Sequence, residues 1–113
     1  MEHDFSKQIG KKISITEKTK TFYVNVEDIT YISCNGTVST IHVINEKKGY
    51  FATRRLKSFE ADLGKYGFLP VNRHTLVNIK YLSCIWTEQG KKYVMINDVE
   101  IAVSRRKSAV FKK

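Results

Sequence analysis

Apolar residues fall at every second position over most of this chain, and they break that rule in one place. Ile13 and Ile15 flank Ser14, and Phe22, Val24 and Val26 alternate with Tyr23 and Asn25. A period of two sends alternate side chains to opposite faces, so each such segment reads as a half-buried β-strand. Residues 28–34 are rich in β-branched and aromatic types and read as another strand. Asn35-Gly36 predicts a tight hairpin, with residues 37–44 running back. Asn45 to Gly49 reads as a second turn, and Tyr50-Phe51-Ala52 as a short third strand. The exception follows: Leu56, Phe59 and Leu63 recur at three- and four-residue spacing. That spacing predicts one amphipathic helix over residues 54–65, with Thr53 as N-cap and Gly64 or Gly67 as the stop.

Strands return after the helix. Pro70 belongs in a loop or on a sheet edge, because it cannot donate to a ladder. Residues 79–87 read as a strand and Glu88 to Lys91 as a turn. Tyr93–Ile96 and Val99–Val103 form a hairpin about Asn97-Asp98, with Val99, Ile101 and Val103 toward the core. Arg105 to Lys113 is basic and short enough for a helical turn. Residues 1–11 show no period and read as a leader or the remnant of a linker. The expectation is a single, mainly β domain over residues 12–113, with eight or nine strands and one short helix.

The chain has 113 residues, enough for one core. Six Phe, six Tyr and many Ile and Val supply the apolar surface that ordering requires. No stretch approaches the roughly 20 apolar residues of a membrane helix. The opening Met1-Glu2-His3-Asp4-Phe5 carries two acids and is no secretory signal, so a cytoplasmic chain is expected. Cys34 and Cys84 lack metal-ligand spacing and read as buried packing thiols.

Enzyme chemistry finds no support. His3, His42 and His74 pair with no Cys, His or Asp at a metal spacing. There is no glycine-rich phosphate loop, no Gly-x-Ser-x-Gly and no suggestive carboxylate pair. No cofactor or metal is expected. The charge is more informative: 20 Lys+Arg against 11 Asp+Glu leave +9 at pH 7. A charge run is usually a solvated face, but here the cations cluster. Lys47, Lys48, Arg54, Arg55 and Lys57 occur with no acid among them. Arg105, Arg106, Lys107, Lys112 and Lys113 face Glu100 alone. A third group, Asn72-Arg73-His74, is a polar island between Leu69-Pro70-Val71 and Leu76-Val77, as a loop held at both ends would be.

Cations against phosphates supply affinity for DNA, and a few side chains on base edges supply specificity. Arg forks to the O6 and N7 of guanine, and Asn suits adenine. Arg73, Arg105 and the hairpin-tip Asn35 are of the right types and lie at strand ends. The same residues also serve as ordinary turn residues.

Three stretches, in order, resemble the LytTR family of bacterial DNA-binding domains. They are Val26-Glu27-Asp28-Ile29-Thr30-Tyr31-Ile32, the segment from Phe68 to Asn78, and Val103-Ser104-Arg105-Arg106-Lys107. The likeness runs from about Lys12 to the end. It implies an elongated, multi-sheet antiparallel β domain with one short α-helix. It implies loops set into successive major grooves of a bent duplex, reading promoter direct repeats. Its base-reading positions fall on Asn35, Arg73 and Arg105. Backbone contacts are expected from Asn72, His74, Arg54, Arg55, Lys57, Ser104, Arg106 and Lys107. One departure is visible: Asn72 stands where a histidine is common, and His74 where a serine is common. The family most often ends two-component response regulators. The chain is therefore expected to be an output domain, with a receiver domain in a longer parent chain, or a stand-alone regulator.

Two other binding classes compete. A small β-barrel could stack single strands or RNA on Tyr23, Tyr31, Tyr50, Phe51 and Trp86, although such aromatics more often pack within a sheet. A protein-interaction module could present its basic face to an acidic partner. Competition between duplex and single strand separates the first from duplex binding, and a pull-down with nuclease treatment separates the second.

Overall fold

The computed structural model describes residues 11–111. Of the stretch read as a leader, only Lys11 lies within them. Ten strands are seen among the described residues: β1 (Lys12–Glu17), β2 (Lys20–Asn25), β3 (Ile29–Asn35), β4 (Val38–Val43), β5 (Tyr50–Ala52), β6 (Phe68–Asn72), β7 (Thr75–Asn78), β8 (Leu82–Glu88), β9 (Lys91–Ile96) and β10 (Val99–Val103). One α-helix, α1 (Leu56–Leu63), stands between β5 and β6. All pairings are antiparallel, in a β1–β2 hairpin, a five-stranded sheet ordered β5-β4-β3-β7-β6 and a three-stranded sheet ordered β10-β9-β8. The described chain measures 57 × 28 × 25 Å. Its radius of gyration is 14.8 Å, against about 13 Å for a compact domain of this length, so the domain is elongated.

The five-stranded sheet is covered on both faces, and each cover has its own core. On one face Ile32, Ile41, Phe68 and Leu76 pack with Phe59 and Leu63 of α1 and with Ile15 and Val24 of the hairpin. On the other, Val71 and Val77 pack with Val94, Ile96, Ile101 and Val103 of the C-terminal sheet and with Phe111. All four residues of β7 are buried.

Pro70 lies in β6, the sheet's edge strand, which is one of the two expected placements, and there a missing N–H costs no ladder bond. Several other local expectations needed correction. The turn expected at Asn35-Gly36 is one residue later. Asn35 still pairs with Val38, and Gly36-Thr37 makes the turn. Gly36 takes φ 68° there while Thr37 keeps negative φ, the pattern of a type II′ turn with glycine first. Asn97-Asp98 turns as expected, both with positive φ. The helix begins at Leu56, not 54, and Arg55 rather than Thr53 stands at its N-cap, with no side-chain cap. It passes into a 3-10 turn, Gly64–Tyr66, which Gly67 ends at φ 89°. Further 3-10 turns precede β3 (Val26–Asp28) and β8 (Ile79–Tyr81), trimming the segments read as continuous strands. The basic tail forms a 3-10 turn over Arg105–Phe111. Val99 is 37% exposed, because it directly follows a turn. The cysteines are free and are not core residues: Cys84 is exposed and Cys34 half-buried. The β8–β10 sheet packs through one face only, and Cys84 pairs with Met95 on the strand beside the buried Val94 and Ile96.

Asn78 links the two ends of this arrangement. It is 3% exposed. Its amide donates to the Ile29 carbonyl at 2.9 Å, and its oxygen accepts from the Lys80 N–H at 3.0 Å, capping the turn into β8. Asn78→Ala would orphan both groups. The expected loss, measured by urea denaturation, is about 1–3 kcal/mol. A second device is His42, stacked on Tyr31 at 4.0 Å between ring centroids and hydrogen-bonded to the Ser33 hydroxyl at 3.2 Å. Burial lowers its pKa below the ordinary 6.5. The folded chain therefore disfavours the imidazolium, and the unfolded chain binds the extra proton as pH falls through 6.5. What neutral His42 contributes is present above that pH and is lost in acid. The melting-temperature gap between the parent and His42→Gln should narrow from about pH 7.5 to about pH 5.

Candidate nucleic-acid interface

Strand direction decides which loops meet. β3, β5 and β6 all leave the central sheet at the end where β4 and β7 enter it. The Gly36-Thr37 turn, the Thr53–Arg55 segment leading into α1, and the Arg73-His74 turn therefore share that end. β10 arrives beside them, since the Ser104 N–H donates to the Val71 carbonyl at 2.8 Å. The β3 end is fastened to the β6–β7 turn by the Cys34 N–H on the His74 carbonyl, also 2.8 Å. These loops carry Arg54, Arg55, Arg73, Arg105, Arg106 and Lys107 and no acid.

The structure brings some of the expected residues together more closely than others. Arg73, Ser104, Arg105 and Arg106 line one depression. Arg105 also borders a second, lined by the β8–β9 turn at Gln89, Gly90 and Lys91. Arg73, His74, Arg105 and Arg106 are exposed, and Lys107 is half-buried. Asn35 is exposed at the end of β3, beside the His74 loop. Arg55 and Lys57 are exposed at the start of α1, further along the same edge.

Two of the expected residues are already engaged. Asn72 donates through its amide to the Ala102 carbonyl and accepts from the His74 N–H, both at 2.8 Å. It thus shapes the Arg73-His74 turn and ties it to β10. Arg54 lays its guanidinium 4.2 Å from the centre of the Phe59 ring. Its Nε donates to the Ser58 hydroxyl at 2.7 Å, and its Nη2 reaches the Ser58 carbonyl and the Asp62 carboxylate. Arg55, one residue on, makes no such contact. The sequence shows two adjacent arginines; only the helix geometry tells them apart. The β8–β9 turn was missed as a neighbour of Arg105, and its Lys91 was the one available signal. Of the aromatics considered as stacking platforms, Trp86 stacks across strands on Tyr93 at 5.5 Å, Tyr31 stacks on His42, and Tyr50 packs on Phe22. Tyr23 and Phe51 are 57% and 48% exposed.

No cluster of three or more metal-ligating side chains occurs among the described residues, and no described helix is long and apolar enough to cross a membrane. The fold is a small, mainly β domain with one short helix and a basic end. A profile of the LytTr DNA-binding domain matches residues 19–113. The chain belongs to this family, which is one of DNA-binding domains and not of enzymes. Among solved structures, the LytTr DNA-binding domain of a response-regulator-type protein from Bacillus cereus superposes with a TM-score of 0.74 at 17% identity. The match covers 88% of this chain and 92% of that one, so it is a likeness of fold. A search of curated proteins gave no significant match.

Arg54 and Arg55 should separate in the laboratory. Arg54→Ala removes an ion pair, two helix bonds and a ring contact, and should cost roughly 1–2 kcal/mol by thermal or urea unfolding. Arg55→Ala should stay within about 0.5 kcal/mol of the parent.

Proposed function

We propose that the chain binds duplex DNA sequence-specifically, with the loops at the basic end of the central sheet set into successive major grooves. On this reading it is a transcription regulator that recognises promoter direct repeats. It serves as the output domain of a bacterial two-component response regulator, in the cytoplasm, with a receiver domain in a longer parent chain.

The observation that carries the proposal is the shared depression of Arg73, Ser104, Arg105 and Arg106, built from two loops bonded to each other. Two exposed arginines presented from one rigid edge suit paired reading of guanine O6 and N7. Asn35, on the adjoining β3 end, suits adenine. His74, Arg55, Lys57, Ser104, Arg106 and Lys107 are assigned to the phosphates around them. Arg54 and Asn72 are assigned a supporting part, because their polar groups are engaged inside the fold. Membership of a DNA-binding family supports DNA as the partner, and the packing of Trp86, Tyr31 and Tyr50 against neighbouring rings supports duplex over single strands.

Selection of bound duplexes from a random pool supplies the cognate site. At that site Arg73→Ala or Arg105→Ala should cost about 1–3 kcal/mol and relax discrimination at one position each. Arg106→Ala should weaken cognate and random duplexes alike and lower the salt slope by about 1. If both base-reader variants bound every duplex as the parent does, the proposed sites would be wrong.

A further inference from the structure

Val38 is out of place for a strand residue of a well-packed sheet. It is 39% exposed, directly after the Gly36-Thr37 turn, at the edge where the basic loops gather. It pairs with Asn35, so the two side chains stand on one face, with Cβ atoms about 5 Å apart. Phe51, 48% exposed, lies on that same face, since it pairs with Thr40, two residues along β4 from Val38. Val38 and Phe51 line one depression together with Lys18 and Thr53. The carboxylate bordering it is occupied: Glu17 Oε2 accepts the Phe51 N–H at 2.7 Å.

The turn below this pair is held firm. Gly36 needs its positive φ, the Cys34 thiol donates to the Gly36 carbonyl at 3.1 Å, and the Cys34 N–H is held by the His74 loop. A rigid edge thus presents a carboxamide and a branched apolar side chain next to each other. The major groove offers one apolar group, the 5-methyl of thymine, and one base whose N6 and N7 match a carboxamide, adenine. The spacing of the two side chains covers one to two base steps of about 3.4 Å.

From this juxtaposition we infer that the Asn35–Val38 edge selects A·T pairs, with Asn35 on adenine and the Val38 methyls against a thymine methyl. This rests on the proposed duplex-binding function and adds the base identity at one half of the site. The reading of Arg73 and Arg105 is independent of it.

The test uses the full chain and its selected duplex. Each thymine is replaced in turn by deoxyuridine, which removes only the methyl. At one or two positions the parent should lose about fourfold in affinity, the worth of one buried methyl. Val38→Ala, folded by circular dichroism, should lose a similar factor on the thymine duplex and bind the thymine and deoxyuridine duplexes alike at that position. Val38→Thr, which keeps one methyl, should retain part of the discrimination. Asn35→Ala should relax the choice of adenine at the same or the neighbouring pair. Specific binding by the parent with no thymine-to-deoxyuridine effect at any position overturns the inference and leaves the proposed function standing. So does full discrimination by Val38→Ala. If the parent shows no preference among duplexes, the proposed function falls and this inference falls with it.

Discussion

Leu76 and Val77 are neighbours in a four-residue strand, and both are fully buried on opposite faces. Leu76 belongs to the core under α1 and the hairpin, and Val77 to the core under the C-terminal sheet. A slip of one residue would exchange them, and in a strand that pairs with β3 on one side and β6 on the other it would misplace every partner as well. β7 is therefore fixed in register from both faces and both edges. The turn that feeds it, Arg73-His74, inherits that fixity. So does β3, whose end carries Asn35. The two cores thus also set the geometry of the candidate binding edge.

How much of this could be read from the sequence follows from the same fact. Strands with one wet face alternate, and β1, β2 and β10 were legible for that reason, while β4 was legible from the hairpin signal before it. β7 does not alternate, because it has no wet face. Beside it, Leu69-Pro70-Val71 contains the one residue that argues against a strand, and only the edge position of β6 reconciles Pro70 with the ladder. Periodicity therefore marked that region as a polar island between apolar segments. It gave the right loop without the strands that hold it. The turn at Gly36 illustrates a finer limit: Asn35-Gly36 signals a hairpin correctly, yet glycine in the first turn position and Asn-Gly as the turn pair differ by one residue in register. Cys84 was read as a buried thiol because its neighbours are apolar, but the C-terminal sheet covers the core with one face and leaves the other to water.

The candidate site was legible by residue type and not by employment. Basic and amide side chains at strand ends were visible. Which of them are spent inside the fold was not, because that depends on where a helix starts and on contacts between strands distant in sequence. Asn72 bonds across to Ala102, 30 residues on, and Arg54 folds down on its own helix. Arg54 and Arg55 share a charge and a sequence neighbourhood, yet a helix starting at Leu56 directs one back along α1 and leaves the other exposed.

Loops that read base edges face an entropic difficulty, since each residue ordered on binding costs about 1–2 kcal/mol in backbone freedom alone. In this chain the backbone of the loops proposed for that role is ordered beforehand. The Ser104 and Cys34 N–H groups and the Asn72 carboxamide hold the three segments to one another. Those bonds exist because β6, β7 and β10 are locked by the second core, through Val71, Val77, Ile101 and Val103. Under the proposed function the ordering cost is met when the domain folds, by apolar burial away from the proposed interface. What is left to order at the proposed interface is side chains, the long ones of Arg73, Arg105 and Arg106 among them. A truncation such as Val77→Ala would then act on recognition without touching it. By loosening the strand between β3 and β6, it returns some of that freedom to the loops, so specific affinity falls further than the weak attraction of mobile cations for any duplex.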